Sequence, residues 1–147
     1  MTPLSRPARV LLVEDNAGDA QLMRIAFAEV HPDARLDVVS DGEAALEALV
    51  RLPQTAEAPD LVLLDLNLPR LHGHEVLAAV REHEAPEVKR TPVVVVTTSS
   101  EPVDVARSYE LGARSHITKP LEVDDLYEAV ESLARYWFRT VDLPSET

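Results

Sequence analysis

Cysteine is absent from the 147 residues, which excludes disulfides and cysteine-ligated zinc. Glycine is scarce, at four residues. No glycine-rich loop follows the first apolar run, and a flavin carrier needs one to cradle its phosphate. Positive charge is short as well: 14 Lys and Arg stand against 26 Asp and Glu, for a net charge of −12. Duplex nucleic-acid binders need basic patches that displace counterions, so no nucleic-acid partner is expected. Long hydrophobic runs are also lacking. The first, Val10 to Val13, is four residues long before Glu14 interrupts it. A secretory signal needs an apolar region of about 7–15 residues, and a spanning helix needs about 20. A cytoplasmic protein without membrane contact is the expectation. Aromatics number six, and three of them are consecutive, Tyr136-Trp137-Phe138.

What is present points to one domain. The length falls near the usual domain size, and 46% of residues are hydrophobic. Val10-Leu11-Leu12-Val13, Leu61-Val62-Leu63-Leu64 and Val93-Val94-Val95-Val96 are near-continuous apolar runs. Strands covered by helices on both faces have this pattern, and β-branched valine favours it. Leu36 to Val39 is a weaker run, and Arg114 to Thr118 is placed only by its surroundings. Amphipathic stretches alternate with the runs. They span Ala20 to Val30, Gly42 to Leu52, His74 to His83, Pro102 to Leu111 and Glu122 to Phe138. Pro102 suits a first helical turn, and Gly112 suits the position just past a helix end. Arg51 to Pro59 reads as the one longer loop, and Pro86 and Pro92 as bounds of a loop before the fourth strand. Strict β-α alternation with short connections predicts an α/β fold with a parallel sheet.

In such sheets ligands bind beyond the carboxyl ends of the strands. Glu14-Asp15, Asp65 and Thr97 each stand at the end of an apolar run or just after it, and Lys119 follows the weak fifth candidate strand. Three carboxylates gathered at one edge repel each other unless a cation joins them. A hard divalent cation with oxygen ligands, Mg²⁺, is the natural partner. Lys119 adds a point charge for a phosphoryl oxygen, and Thr97 adds a hydroxyl. These are the parts needed to move a phosphoryl group onto a carboxylate. Taken singly, each has a plainer use. Glu14-Asp15 and Thr97-Thr98-Ser99-Ser100 could cap helices, Asp65 could end a strand, and Lys119 could be a surface lysine. The five histidines, His31, His72, His74, His83 and His116, are too scattered to compose a zinc site; His72 and His74, two apart, share no helix face.

The order and spacing of these residues resemble the response-regulator receiver domain of the CheY-like kind. Glu14-Asp15 follows strand one, and Asp65-Leu66-Asn67-Leu68-Pro69-Arg70-Leu71-His72-Gly73 carries Pro four and Gly eight positions after the Asp. Thr97 closes strand four, and Lys119-Pro120 follows strand five. The resemblance implies a flavodoxin-like (βα)5 sandwich with sheet order 2-1-3-4-5. It also implies that Asp65 accepts a phosphoryl group from a histidine kinase. Asp15 and Asp65 would bind Mg²⁺, Glu14 would support it, and Asn67 would offer its backbone carbonyl. Lys119 would pair with Asp65, and a cis Lys119-Pro120 bond would aim it. Thr97 would be drawn to the phosphate, shifting the face made by the fourth helix, fifth strand and fifth helix. The family's switch position is usually Tyr or Phe; here it is His116. Phosphate transfer and autodephosphorylation are implied, but no turnover of an external substrate, so the protein is not expected to be an enzyme. An aspartyl phosphatase would want a second acid two positions after the nucleophile, where Asn67 stands.

Three adjacent rings cover most of a helix circumference, so at least one of Tyr136, Trp137 and Phe138 should leave the core and mark an interface. Glu14-Asp15-Asn16, Asp19 and the aromatic ending before Leu143-Pro144 resemble the single-domain regulators paired with phytochrome-type histidine kinases. That resemblance implies a homodimer formed through the carboxyl-terminal extension. The expected organisation is an arm at 1–8, a receiver at 9–135 and an extension at 136–147. A competing reading keeps the fold as a dimeric interaction module that signals without phosphorylation.

Overall fold

The computed structural model describes residues 7–51, 58–120 and 122–135. Tyr136, Trp137 and Phe138, the expected dimer residues, lie outside the described residues, as does most of the expected long loop. Five strands form one parallel sheet: β1 (Arg9–Val13), β2 (Arg35–Val39), β3 (Leu61–Leu64), β4 (Val93–Thr97) and β5 (Ser115–Thr118). Their order is β2-β1-β3-β4-β5, and each neighbouring pair is parallel. Six helices connect or follow them: α1 (Ala17–Val30), α2 (Gly42–Val50), α3 (Gly73–Glu82), α4 (Pro86–Lys89), α5 (Pro102–Glu110) and α6 (Val123–Arg135).

Side chains alternate across a strand, so a fully apolar run feeds two cores. Val10, Leu12, Leu61, Leu63, Val94 and Val96 pack on one face with Met23 and Phe27 of α1 and Val130 and Leu133 of α6. Leu11, Val13, Val62, Leu64, Val93 and Val95 pack on the other with Leu49 of α2 and Val76, Leu77 and Val80 of α3. Burying each such side chain contributes about 1.5–3 kcal/mol. The edge strands β2 and β5 are only half-buried and carry the polar residues.

Two boundaries differ from the expected ones. Helix α1 starts at Ala17, three residues before the apolar periodicity, because the Asn16 side chain accepts the Asp19 N–H at 2.9 Å and caps it there. The segment between Pro86 and Pro92 is not all loop: Pro86–Lys89 forms the single-turn helix α4, with Pro at its start and Val88 buried. Gly112 sits just past α5 with φ of +95°, the left-handed conformation that suits glycine.

Candidate functional site

The carboxyl ends of β1, β3, β4 and β5 meet at one sheet edge, and ladder bonds fix what stands there. Glu14 N–H donates to the Val39 carbonyl at 3.0 Å, Asp65 N–H to Val13 at 3.1 Å, and Lys119 N–H to Thr97 at 2.7 Å. The side chains at this edge form a compact ionic centre. Lys119 Nζ lies 2.6 Å from Glu14 Oε1, 2.9 Å from Asp19 Oδ2 and 3.0 Å from Asp65 Oδ2. Glu14 is 5% exposed and Asp65 6%. The second oxygen of each carboxylate is held by backbone. Asn16 N–H donates to Glu14 Oε2 at 3.1 Å, and Asn67 N–H to Asp65 Oδ1 at 3.2 Å. A small cleft opens beside them, lined by Val13, Glu14, Asp19, Met23, Asp65 and Lys119 among others.

Burial raises the Glu14 carboxyl above its ordinary value; hydrogen bonds from Lys119 and Asn16 work against that, and the Asp65 charge adds to it. Burial pulls the Lys119 ammonium down, but the hydrogen bonds to Glu14, Asp19 and Asp65 outweigh it. The net shift is well above the usual lysine range. Lys119 is therefore a firm cation, while Glu14 bears the cost of crowding. One ammonium faces four carboxylates, Glu14, Asp15, Asp19 and Asp65, so the edge still carries excess negative charge. Glu14, Asp15 and Asp65 each offer an oxygen within 4.8 Å of the others, two from buried residues and one from exposed Asp15. Oxygens across a Mg²⁺ ion stand about 4 Å apart, so this donor set fits a hard divalent cation.

Thr97 is fully buried at the end of β4. Its Oγ1 has no hydrogen-bond partner among the described residues. Such an atom costs about 1–3 kcal/mol if nothing fills its valence. Thr97 does not cap a helix, since α5 begins after Glu101. Gly73 brings the start of α3 onto the chain just after β3. A Cβ there would lie 2.5 Å from the Asp65 carbonyl oxygen and 2.6 Å from Leu66 Cα, so the close approach demands glycine. Arg70, in the same loop, has φ of +71°, and its guanidinium sits 3.5 Å from Asp41.

The structure thus joins Glu14, Asp15, Asp65 and Lys119 in one centre, with Asn67 bound to it through its N–H. A family model, the response regulator receiver domain, matches residues 10–131. This chain is a response regulator receiver.

Among relatives of the receiver, Response regulator Rcp1 of Synechocystis is 39% identical over 99% of both chains. The crystal structure of the phosphorylated cyanobacterial phytochrome response regulator RcpA superposes with a TM-score of 0.82 at 37% identity, covering 91% of this chain and 96% of that one. The Mn²⁺-bound form of Rcp1 superposes with a TM-score of 0.80 at 38% identity, covering 91% and 96%. The flavodoxin-like fold and the receiver identity expected from the sequence both hold.

One expectation does not. Among the described residues no peptide bond is cis, so Lys119–Pro120 is trans. The trans form is favoured by about 0.5–1 kcal/mol before Pro, and Lys119 needs no other aim. Its backbone is held by Thr97, and its long stem delivers Nζ to three carboxylates. Two contacts were not assigned from the sequence. Asp19, named there only for the kinase-type resemblance, is a third carboxylate on Lys119; its place in the first turn after Glu14-Asp15 was the available signal. The other is the surroundings of His116. Its Nδ1 lies 3.0 Å from Ser108 Oγ, its Nε2 2.9 Å from the Ser99 carbonyl, and its backbone N–H donates to the Tyr109 hydroxyl at 3.2 Å.

Proposed function

We propose that Asp65 is the phosphoacceptor of this receiver and that a histidine kinase, of the phytochrome type, supplies the phosphoryl group. The observation that carries this reading is the Asp65 carboxylate itself. It is buried, it is held by Lys119 at 3.0 Å, and it shares an oxygen cluster with Glu14 and Asp15. Mg²⁺ bound by Asp15, Asp65 and the Asn67 carbonyl, with Glu14 in support, would neutralise the equatorial oxygens in transfer. Asp65 Oδ attacks phosphorus, and the bond from phosphorus to the donor breaks as the new one forms. Lys119 follows the charge from carboxylate to phosphoryl oxygen. Thr97 Oγ1, unpartnered at rest, takes a phosphoryl oxygen as its acceptor. The resulting shift reaches the face made by α5, β5 and α6, where the signal leaves by protein contact or by onward transfer of the phosphoryl group.

The kinase type rests on likeness to Rcp1 and RcpA, the latter a phytochrome response regulator by description. Receiver 9–135 and a dimerising extension carrying Tyr136, Trp137 and Phe138 complete the proposal. No external substrate is turned over. None of the described helices is long and apolar enough to cross a membrane. A cytoplasmic setting is part of the proposal. Incubation with acetyl phosphate and Mg²⁺ should add one phosphoryl mass to wild type and none to Asp65→Asn. Equal labelling of both proteins, or none of wild type, refutes the assignment. Transfer from a phytochrome-type kinase tests the partner, and sedimentation of Trp137→Ala tests the dimer.

A further inference from the structure

His116 stands where the family usually carries a plain aromatic ring, and both its ring nitrogens are bonded. Nε2 lies 2.9 Å from the Ser99 carbonyl. A carbonyl only accepts, so Nε2 carries a proton. In the neutral ring Nδ1 is then an acceptor. It lies 3.0 Å from Ser108 Oγ, whose one proton serves either this nitrogen or the Asp104 carbonyl. His74 Nε2 lies 3.0 Å from that same oxygen. With the hydroxyl proton spent on one of those acceptors, His74 is the donor there. When that proton serves Nδ1, the bonds run one way, from His74 to Ser108 to His116 to the Ser99 carbonyl. Ser108 is fully buried, so these partners have no solvent to replace them. The serine has one alternative acceptor, the Asp104 carbonyl at 2.9 Å.

These residues sit on four separate pieces of the fold: the first turn of α3, α5, β5 and the loop from β4 to α5. The two ends of the chain of bonds flank the reaction centre. His74 follows Gly73, whose N–H donates to the Leu66 carbonyl at 2.9 Å, one residue from Asp65. Ser99 comes two residues after Thr97.

We propose that this hydrogen-bond chain is a latch on the unphosphorylated receiver, with His74 and Ser108 as positioning residues that act through His116. The latch rests on the receiver reading above. When a phosphoryl group on Asp65 gives Thr97 Oγ1 its missing acceptor, Thr97 is drawn toward it. The Ser99 carbonyl moves with it, off His116 Nε2. The ring then turns to find a new acceptor, and the Ser108 hydroxyl turns to the Asp104 carbonyl. A hydrocarbon ring at this position switches by steric fit. The imidazole here switches by the number of bonds it keeps. Because the bonds hold the resting arrangement, removing them makes the active arrangement easier to reach.

The test measures the initial rate of phosphoryl incorporation from acetyl phosphate with Mg²⁺, by intact mass. Amide resonances of residues 98–101 are recorded before any donor is added. Ser108→Ala and His116→Phe should each raise the rate about fivefold, the factor that one ordinary net hydrogen bond represents. Both should also displace the resonances toward their phosphorylated positions. His74→Leu should do the same more weakly, while His74→Gln, which keeps an N–H donor, should return to the wild-type rate. A merely structural role for His74 would appear in stability and would not separate Leu from Gln by rate. Unchanged or slower incorporation with undisplaced resonances in folded Ser108→Ala and His116→Phe overturns the latch. Should those two not fold, equal rates for the two His74 variants overturn it. A wild type that gains no phosphoryl group refutes Asp65 as phosphoacceptor, and the latch falls with that reading; a labelled wild type with undisplaced resonances in the variants refutes the latch alone.

Discussion

Two partly buried cations sit at opposite ends of this sheet, and each has three oxygen partners. At the carboxyl end Lys119 is held by carboxylates of Glu14, Asp19 and Asp65. At the amino end Arg81 donates to carbonyls of Lys89, Thr91 and Gly112 at 2.8, 2.9 and 2.8 Å. Burial pulls both cations down. For Lys119 the carboxylates reverse the shift. For Arg81 it stands, and Arg114 adds to it. Neutral carbonyls give geometry without charge, and the planar fork of arginine suits three fixed backbone acceptors. The result is a staple between α3, the stretch before β4 and the end of α5. An ammonium among carboxylates is a different device. Each contact is charge to charge: the carboxylates would attract a divalent cation as they attract the ammonium, and the ammonium would attract an anionic oxygen as it attracts a carboxylate.

The comparison can be broken most forcefully at Lys119. In Lys119→Met without divalent metal, Glu14 and Asp65 are left uncompensated, and urea denaturation should show a loss of about 3 kcal/mol. Millimolar Mg²⁺ should restore part of that loss, because the ion takes the place of the ammonium. Arg81→Met should lose about 2 kcal/mol through its orphaned carbonyls, and Mg²⁺ should restore none of it beyond its effect on wild type. Equal rescue of the two variants would erase the distinction drawn between them. Asp65→Asn lowers the crowding at the site. Lys119 keeps Glu14 and Asp19 while one like charge is removed, so metal-free stability should fall by less than in Lys119→Met, while the stabilisation by Mg²⁺ measured in thermal melts should fall.

The smallest effect concerns His74. Burial is the main cause of its lowered pKa, and the His72 charge adds to it. A histidine with a depressed folded value contributes stability that is present above its unfolded value of about 6.5. That contribution is lost as pH falls below 6.5 toward the folded value. Denaturation midpoints of wild type should therefore fall over this window more steeply than those of His74→Gln.

The central strands were legible because each stands between two helical layers, which leaves no polar position inside Val10–Val13, Leu61–Leu64 or Val93–Val96. Asp65 was legible because a charge that ends such a run has to surface at the sheet edge; Lys119 follows the polar fifth strand and was legible through its place in the family-like spacing. Other features leave weaker traces. Helix α4 is one turn long, too short to show a period. The start of α1 depends on a single cap at Asn16. The trans bond before Pro120 rests on a small energy difference that tertiary contacts decide. His74 is far in sequence from both Ser108 and His116, and only the packing of α5 between α3 and β5 brings both histidines to one hydroxyl. Arg81 read as an ordinary polar position on α3, because backbone acceptors have no signature in sequence.

The half-buried outer strands have a consequence for colloidal behaviour. A parallel sheet exposes a row of unpaired amide and carbonyl groups along each flank, and such rows invite another chain to add a strand. Here the flanks are β2, with the Arg35–Asp37 pair at 3.7 Å, and β5, only four residues long and bearing Ser115, His116 and Thr118. An incoming strand would have to strip water from these polar groups and would gain few ladder bonds. Concentrated solutions of this protein should therefore resist fibrillar growth by strand addition along the sheet.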